Sequence, residues 1–229
     1  LLFMAVFWGI PGVLQNSELI SAIPMEGGVY QWYKKSWGDY WGFQLGWLEW
    51  LTWMFDAALY PTLLAEYFVI FIWPEAPVSV SWGLTLSMIW LTVIVNLRGV
   101  ELVGPLFNVL TWLQIIPVIL FVYYGVGLID LDVYTSLHLP PQTDLTTAVV
   151  FALIFGVWNF SGYSGLASAA DEIDDIESNY PKALIVTLML SVVVYVIPLM
   201  IGIAVNPNWN LWSEAQLNLV ALALGGTAF

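Results

Sequence analysis

Apolar residues fall along the 229-residue chain in long unbroken runs, separated by short polar or Pro/Gly-containing stretches. A run of about 20 apolar residues is what an α-helix needs to cross a hydrocarbon core about 30 Å thick. Read against their breakers, the runs predict six spans, over residues 1–23, 41–73, 78–97, 100–127, 146–170 and 183–205. A seventh piece, 217–224, is too short to cross and is expected to be a re-entrant or extracellular helix, or the start of a truncated span. Gly27-Gly28, the 73–77 stretch, Pro140-Pro141 and Asn206-Pro207 punctuate the spans as turns. An outer-membrane barrel would show alternating segments of about 10 residues, which these continuous runs do not. The predicted fold class is all-α, a polytopic transmembrane helix bundle forming a single domain over 1–229. Because Leu1 lies inside an apolar run and Phe229 follows another, the domain is expected to be incomplete at both ends.

The fifth span departs from the pattern. After the clean run 148–157 come Trp158, Asn159, Phe160, Ser161, Gly162, Tyr163, Ser164 and Gly165. Ten helical residues rise about 15 Å, so the polar run starts near the midplane. Glycine weakens helix there, and Asn and Ser offer the backbone local alternatives. Two readings fit. The helix is intact and uses small residues for close packing, or it is discontinuous, with half-helix ends of opposite partial charge facing a cavity.

Composition supports the membrane reading: 60% hydrophobic and 9% charged residues, with a mean hydropathy of +0.84. The net charge of −13 argues against nucleic-acid binding. With no cysteine and one histidine, His138, thiolate chemistry and a histidine metal cluster are excluded, so neither metal, cofactor nor catalytic residue is expected. The four basic residues Lys34, Lys35, Arg98 and Lys182 all fall in loops after the first, third and fifth spans. The positive-inside rule makes that side cytoplasmic, so the fifth span runs inward.

Within the spans, Asp56 stands near the middle of the second, with Trp53 at i−3 and Tyr60 at i+4 on the same face. A mid-membrane carboxylate is read as functional by default; the structural alternative is an Asp kept neutral by burial or bonded to a neighbouring helix. Glu49 and Glu66, nearer the ends, are read as interfacial. Asn108, Thr111 and Gln114 form a stripe expected to hydrogen-bond adjacent helices rather than line a cavity. Gly9, Pro11, Gly12 and Pro117 are kink candidates. Most tryptophans sit near span ends, as in an aromatic belt; Trp158 does not. The acids Asp171, Glu172, Asp174, Asp175 and Glu177 follow the inner end of the fifth span, where carboxylates oppose the helix dipole. They are read as solvated, with one or two pairing with Lys182 or Arg98.

Three stretches carry a resemblance. "SELISAIPMEGGVYQWYKKSWGDYWGFQLGW", "NLRGVELVG" and "NFSGYSGLASAADEIDDIESNYPKAL" resemble, in order, the second span with its following loop, the junction of spans four and five, and the broken sixth span of amino acid-polyamine-organocation transporters. "GFQLGWLEWLTWMFDAALYP" looks most like the polyamine/proton symporter and amino-acid permease branch. The resemblance implies a leucine-transporter-type inverted-repeat fold with one discontinuous helix, of which this fragment would hold spans two to seven. It also implies that Trp158, Asn159, Phe160, Ser161, Gly162, Tyr163 and Ser164 contact substrate, with Phe160 or Tyr163 as an aromatic lid and backbone carbonyls receiving an amine. Tyr60 joins that set, and Asp56 takes a proton- or cation-linked role. Polyamine-transporting relatives carry an acid where this chain has Ser164, which weakens the case for a polycationic substrate.

The function expected is secondary active transport of a small-molecule amino acid or polyamine across the cell membrane, proton-coupled, by alternating access around a broken helix at 158–165, with the lipid bilayer as its other partner. A transport-inactive sensor or structural paralogue would bind without flux. A channel needs a ring of charges or carbonyls around a pore, and no repeated motif here makes one. A membrane enzyme needs a nucleophile–base pair or metal set that the chain lacks.

Overall fold

The computed structural model of the chain describes residues 1–129, 131–135, 144–208, 212 and 216–225. The expected turn at Pro140-Pro141 and His138 lie outside the described residues. All regular elements among the described residues are helices. They group into two compact units, one made of residues 1–43 with 117–229 and one of residues 44–116.

Four helices are long and apolar enough to cross a membrane: Asp39–Ile72, Val78–Asn96, Glu101–Leu128 and Ile176–Val205. They correspond to the second, third, fourth and sixth expected spans. The first expected span is α1 (Leu2–Met4), a π-helical turn (Ala5–Gly9) and α2 (Ile10–Ala22), which follow one another without leaving right-handed helical backbone. The kink expected around Gly9, Pro11 and Gly12 is therefore this one-turn widening. α3 (Gly28–Trp37) occupies what the hydropathy pattern leaves as a loop. A helix that is polar on one side and carries Lys34 and Lys35 gives no apolar run to detect. Hydrogen bonding to Asp39, and then to Tyr30, holds the Lys34 ammonium above its ordinary pKa; Lys34 Nζ lies 3.2 Å from Asp39 Oδ1.

In the second unit, α4 (Asp39–Ile72) continues from Gln44, followed by α5 (Val78–Asn96) and the part of α6 (Val100–Gly125) up to Ile116. Nothing on α5 is buried. An apolar helix with no buried face must be covered by lipid or by further protein. Thr111, expected to bond an adjacent helix, instead donates to the Phe107 carbonyl of its own helix at 2.8 Å. Pro117 leaves α6 unbroken.

The first unit holds three buried clusters. Val13, Ile20, Ile23, Trp32, Ala167, Ala170, Tyr180 and Leu184 form the largest. Met4, Ala5 and Phe160 form a second. Phe121, Ile201 and Val220 form a third, where α6, α9 (Ile176–Val205) and α10 (Gln216–Gly225) meet. Lipid is as apolar as these side chains, so in a membrane such clusters hold by close packing rather than by escape from water. Close packing needs small residues at the crossings. A Cβ at Gly156 or Gly125 would collide with Met4 or Ile201 respectively.

α9 begins at Ile176, seven residues before the expected sixth span. Its entry is built by the acidic stretch itself. Asp175 takes a left-handed backbone at φ 46°, its carbonyl accepts from Ser178 N and Asn179 N at 3.0 and 2.9 Å, and Asn179 Nδ2 donates to the Asp174 carbonyl at 2.7 Å. Asp174, Asp175 and Glu177 thus stand at a helix N-terminus, where negative charge is favourable. The dipole conflict expected for these acids does not arise for those three. Lys182 bonds Ser178 Oγ at 2.7 Å rather than an acid.

Candidate functional site

The fifth expected span is where the helices stop being regular. Asp144 starts α8 (Leu145–Asn159): its carboxylate accepts from Thr147 N at 2.8 Å and from Thr147 Oγ1 at 2.7 Å. The Thr147 side chain, then its backbone N–H, hold this carboxyl below its ordinary pKa. The helix ends at Asn159, 15 residues later, or about 22 Å along its axis. Its own polar side chains close it. Asn159 Nδ2 donates to the Phe155 carbonyl at 2.7 Å and Ser161 Oγ to that of Val157 at 2.5 Å. These bonds compete with continuing the ladder, which is why Asn and Ser at this spacing terminate the helix.

Residues 160–164 are not helical, and Gly162 sits at φ 95°, a value open to glycine at no steric cost. The chain then resumes as a 3-10 helix, Gly165–Glu172, bent at Ala169. The span is therefore discontinuous, and its second half is 3-10 rather than the α-helix expected to residue 170. The carbonyls of Asn159, Phe160 and Ser161 receive no hydrogen bond from another described residue. They are the free acceptors at the partially negative end of α8.

Packing fixes the break from three directions. From the π turn, Trp8 Nε1 donates to Ser161 Oγ at 3.2 Å. The Tyr163 ring lies on bare backbone, since a Cβ at Gly12 would be 3.3 Å from its Cδ2 and one at Gly9 3.6 Å from its hydroxyl. Tyr180 of α9 donates its phenol to the Tyr163 carbonyl. Below the break, the Gly27-Gly28 turn abuts the 3-10 segment, with Gly27 N donating to the Ser168 carbonyl at 3.2 Å.

The residues singled out in the sequence separate into different environments. Phe160 is 1% exposed, packed with Met4 and Ala5 and edge-on to Tyr195 at 6.0 Å. It is a core ring here, so of the two lid candidates Tyr163 is the one at the surface of the break. Trp158 is exposed beside Phe155. Ser164 lines a cavity of about 270 Å³ with Gln15, Asn16, Trp32, Tyr33 and Ser36. Asp56 and Tyr60 belong to the second unit, one helical turn apart on α4, Asp56 half-buried and Tyr60 exposed. Among the described residues no cluster of acidic or His side chains could hold a metal. Trp8 and Tyr180 escaped the sequence reading. Tyr180 lies within the quoted "NYPKAL" stretch, a signal that was present, whereas nothing local marks Trp8.

A helical chain with several membrane-crossing helices and one broken inside its apolar length defines a multi-pass integral membrane protein of the permease type. The family model described as amino acid permease matches residues 1–229, and the chain belongs to that family. It is 29% identical over 237 residues to polyamine transporter PUT1 of Oryza sativa subsp. japonica, covering 98% of this chain and 42% of that protein. It is 28% identical over 236 residues to a probable polyamine transporter of Arabidopsis thaliana, covering 96% and 43%. To the probable agmatine/putrescine antiporter AguD of Lactococcus lactis it is 24% identical over 232 residues, covering 94% and 47%. The chain thus spans less than half the length of these relatives.

Proposed function

We propose that the protein containing this chain is a proton-coupled secondary transporter of amino acids or polyamines that alternates access around the break at 158–165. The observation that carries this reading is the non-helical stretch 160–164 with its free carbonyls at residues 159–161. Backbone carbonyls and the negative end of a half-helix suit an ammonium group, and irregular backbone at membrane depth is tolerated where it lines protein or a cavity. Trp158, Asn159, Ser161, Gly162, Tyr163 and Ser164 form the substrate-contacting set, with Tyr163 as the lid. Asp56 carries the proton, with Tyr60 a turn away. Lys34, Lys35, Arg98 and Lys182 face the cytoplasm by the positive-inside rule.

The substrate class has two supports that pull apart. The relatives named as polyamine transporters favour a polyamine, while neutral Ser164, where the resemblance leads one to expect an acid, favours a substrate with a single amine. The full-length protein in proteoliposomes is expected to take up radiolabelled putrescine or arginine saturably, driven by a pH gradient. Asp56→Ala is expected to abolish the coupling and Tyr163→Ala to weaken uptake. Unaltered coupled uptake in both variants would sink the site assignment, and binding without flux in the unsubstituted protein would identify a transport-inactive paralogue.

A further inference from the structure

We propose that Tyr180 is a positioning residue for the candidate site, its phenol holding the main chain of the break in the geometry that leaves the carbonyls of residues 159–161 free for an amine; this rests on the reading above. Breaking the span takes a run of carbonyls out of the helical ladder. Two are repaired locally, Gly162 O by Gly165 N at 3.1 Å and Ser164 O by Ala167 N at 3.0 Å. The Tyr163 carbonyl is repaired from 17 residues away, by the Tyr180 hydroxyl. Tyr180 is 2% exposed, held in the cluster of Val13, Ile20, Ala167 and Leu184. A ring so enclosed cannot carry its hydroxyl elsewhere, and a carbonyl so enclosed finds no water to replace it.

The placement has two consequences. Tyr163 is gripped at both ends, its ring on Gly9 and Gly12 and its carbonyl by α9. The turn that sets the start of α9, through Asp175 and Asn179, is also tied to the break by a rigid turn of helix. Removing only the hydroxyl adds one more unpaired acceptor beside those proposed for substrate and releases the backbone that carries them.

The test uses the full-length protein with Tyr180→Phe, which keeps the ring, and with Tyr180 replaced by p-aminophenylalanine, which restores a donor. Hydrogen–deuterium exchange in detergent, without substrate, should quicken in the peptide covering 160–168 for Tyr180→Phe and not for the amino variant. In proteoliposomes, KM for putrescine or arginine should rise about 5- to 100-fold with Vmax within about twofold, the range expected for one lost bond to a buried acceptor, and the amino variant should recover it. Unchanged exchange overturns the inference whether or not the protein transports either probe, which separates it from failure of the transport reading. Lower Vmax at unchanged KM, tracking loss of folded protein, also overturns it and assigns Tyr180 to stability alone.

Discussion

Gly28→Ala should destabilise the protein although it adds a single methyl group. Gly28 has φ +44°, and a Cβ there would lie 3.0 Å from Ala167 C and Ser168 N and 3.1 Å from Ala167 Cβ. The left-handed backbone costs a non-glycine residue about 1–2 kcal/mol. Forcing a methyl against main chain, which cannot swing aside as a side-chain tip does, adds about 1–3 kcal/mol. The reduced entropy of the unfolded chain returns about 0.4–1 kcal/mol. The balance is a loss of about 3 kcal/mol, concentrated where the Gly27-Gly28 turn meets the 3-10 segment below the break. Gly83→Ala is the matched control. Gly83 lies inside α5 with nothing within 4 Å of a new Cβ, so the same substitution should stabilise by up to about 1 kcal/mol through helix propensity. Both variants of the full-length protein, heated in detergent and followed by size-exclusion chromatography, should move in opposite directions from the unsubstituted protein. If Gly28→Ala survives heating as well as Gly83→Ala, the close approach of that turn to residues 167–168 is refuted.

Two further outcomes follow from the same geometry. Trp8→Phe removes the indole donor to Ser161 Oγ, and a double-mutant cycle with Ser161→Ala in thermal or denaturant unfolding should show a coupling of about 0.5–1.5 kcal/mol; zero coupling would mean that the bond does not hold the break. Asp144 has its carboxyl depressed by Thr147, so its contribution is complete above the unfolded-state value near 3.9 and is lost as pH falls through the lower folded value. Asp144→Ala should therefore lower the melting temperature at neutral pH and narrow the difference from the unsubstituted protein as acid is added, the more weakly the higher the salt, because the group is fully exposed. A gap that widens in acid would contradict the sign.

How far the molecule can be read from its residues depends on whether a feature is local. The membrane-crossing helices α4, α5, α6 and α9 follow from composition because the bilayer demands that backbone groups be satisfied within the segment itself, and an apolar run of sufficient length has little alternative to helix. The site of the break follows too, since Asn159, Ser161 and Gly162 act on the carbonyls and dihedrals beside them. The start of α9 did not, because the acids that open it look like a solvated tail until Asp175 turns the chain.

Features made of contacts between distant residues left no local trace. That Phe160 is core while Tyr163 stands at the break, two side chains of similar hydrophobicity three positions apart, depends on Met4 and Ala5 packing one and Gly9 and Gly12 backing the other. The 3-10 form of the second half arises where the Gly27-Gly28 turn presses on it, and the bond from Tyr180 to the Tyr163 carbonyl exists only once α9 folds back. Hydrocarbon thickness and backbone hydrogen bonding act on every residue alike and are therefore legible along the chain. Which ring fills which gap depends on shapes supplied by several helices at once, and it exists only after those helices have packed.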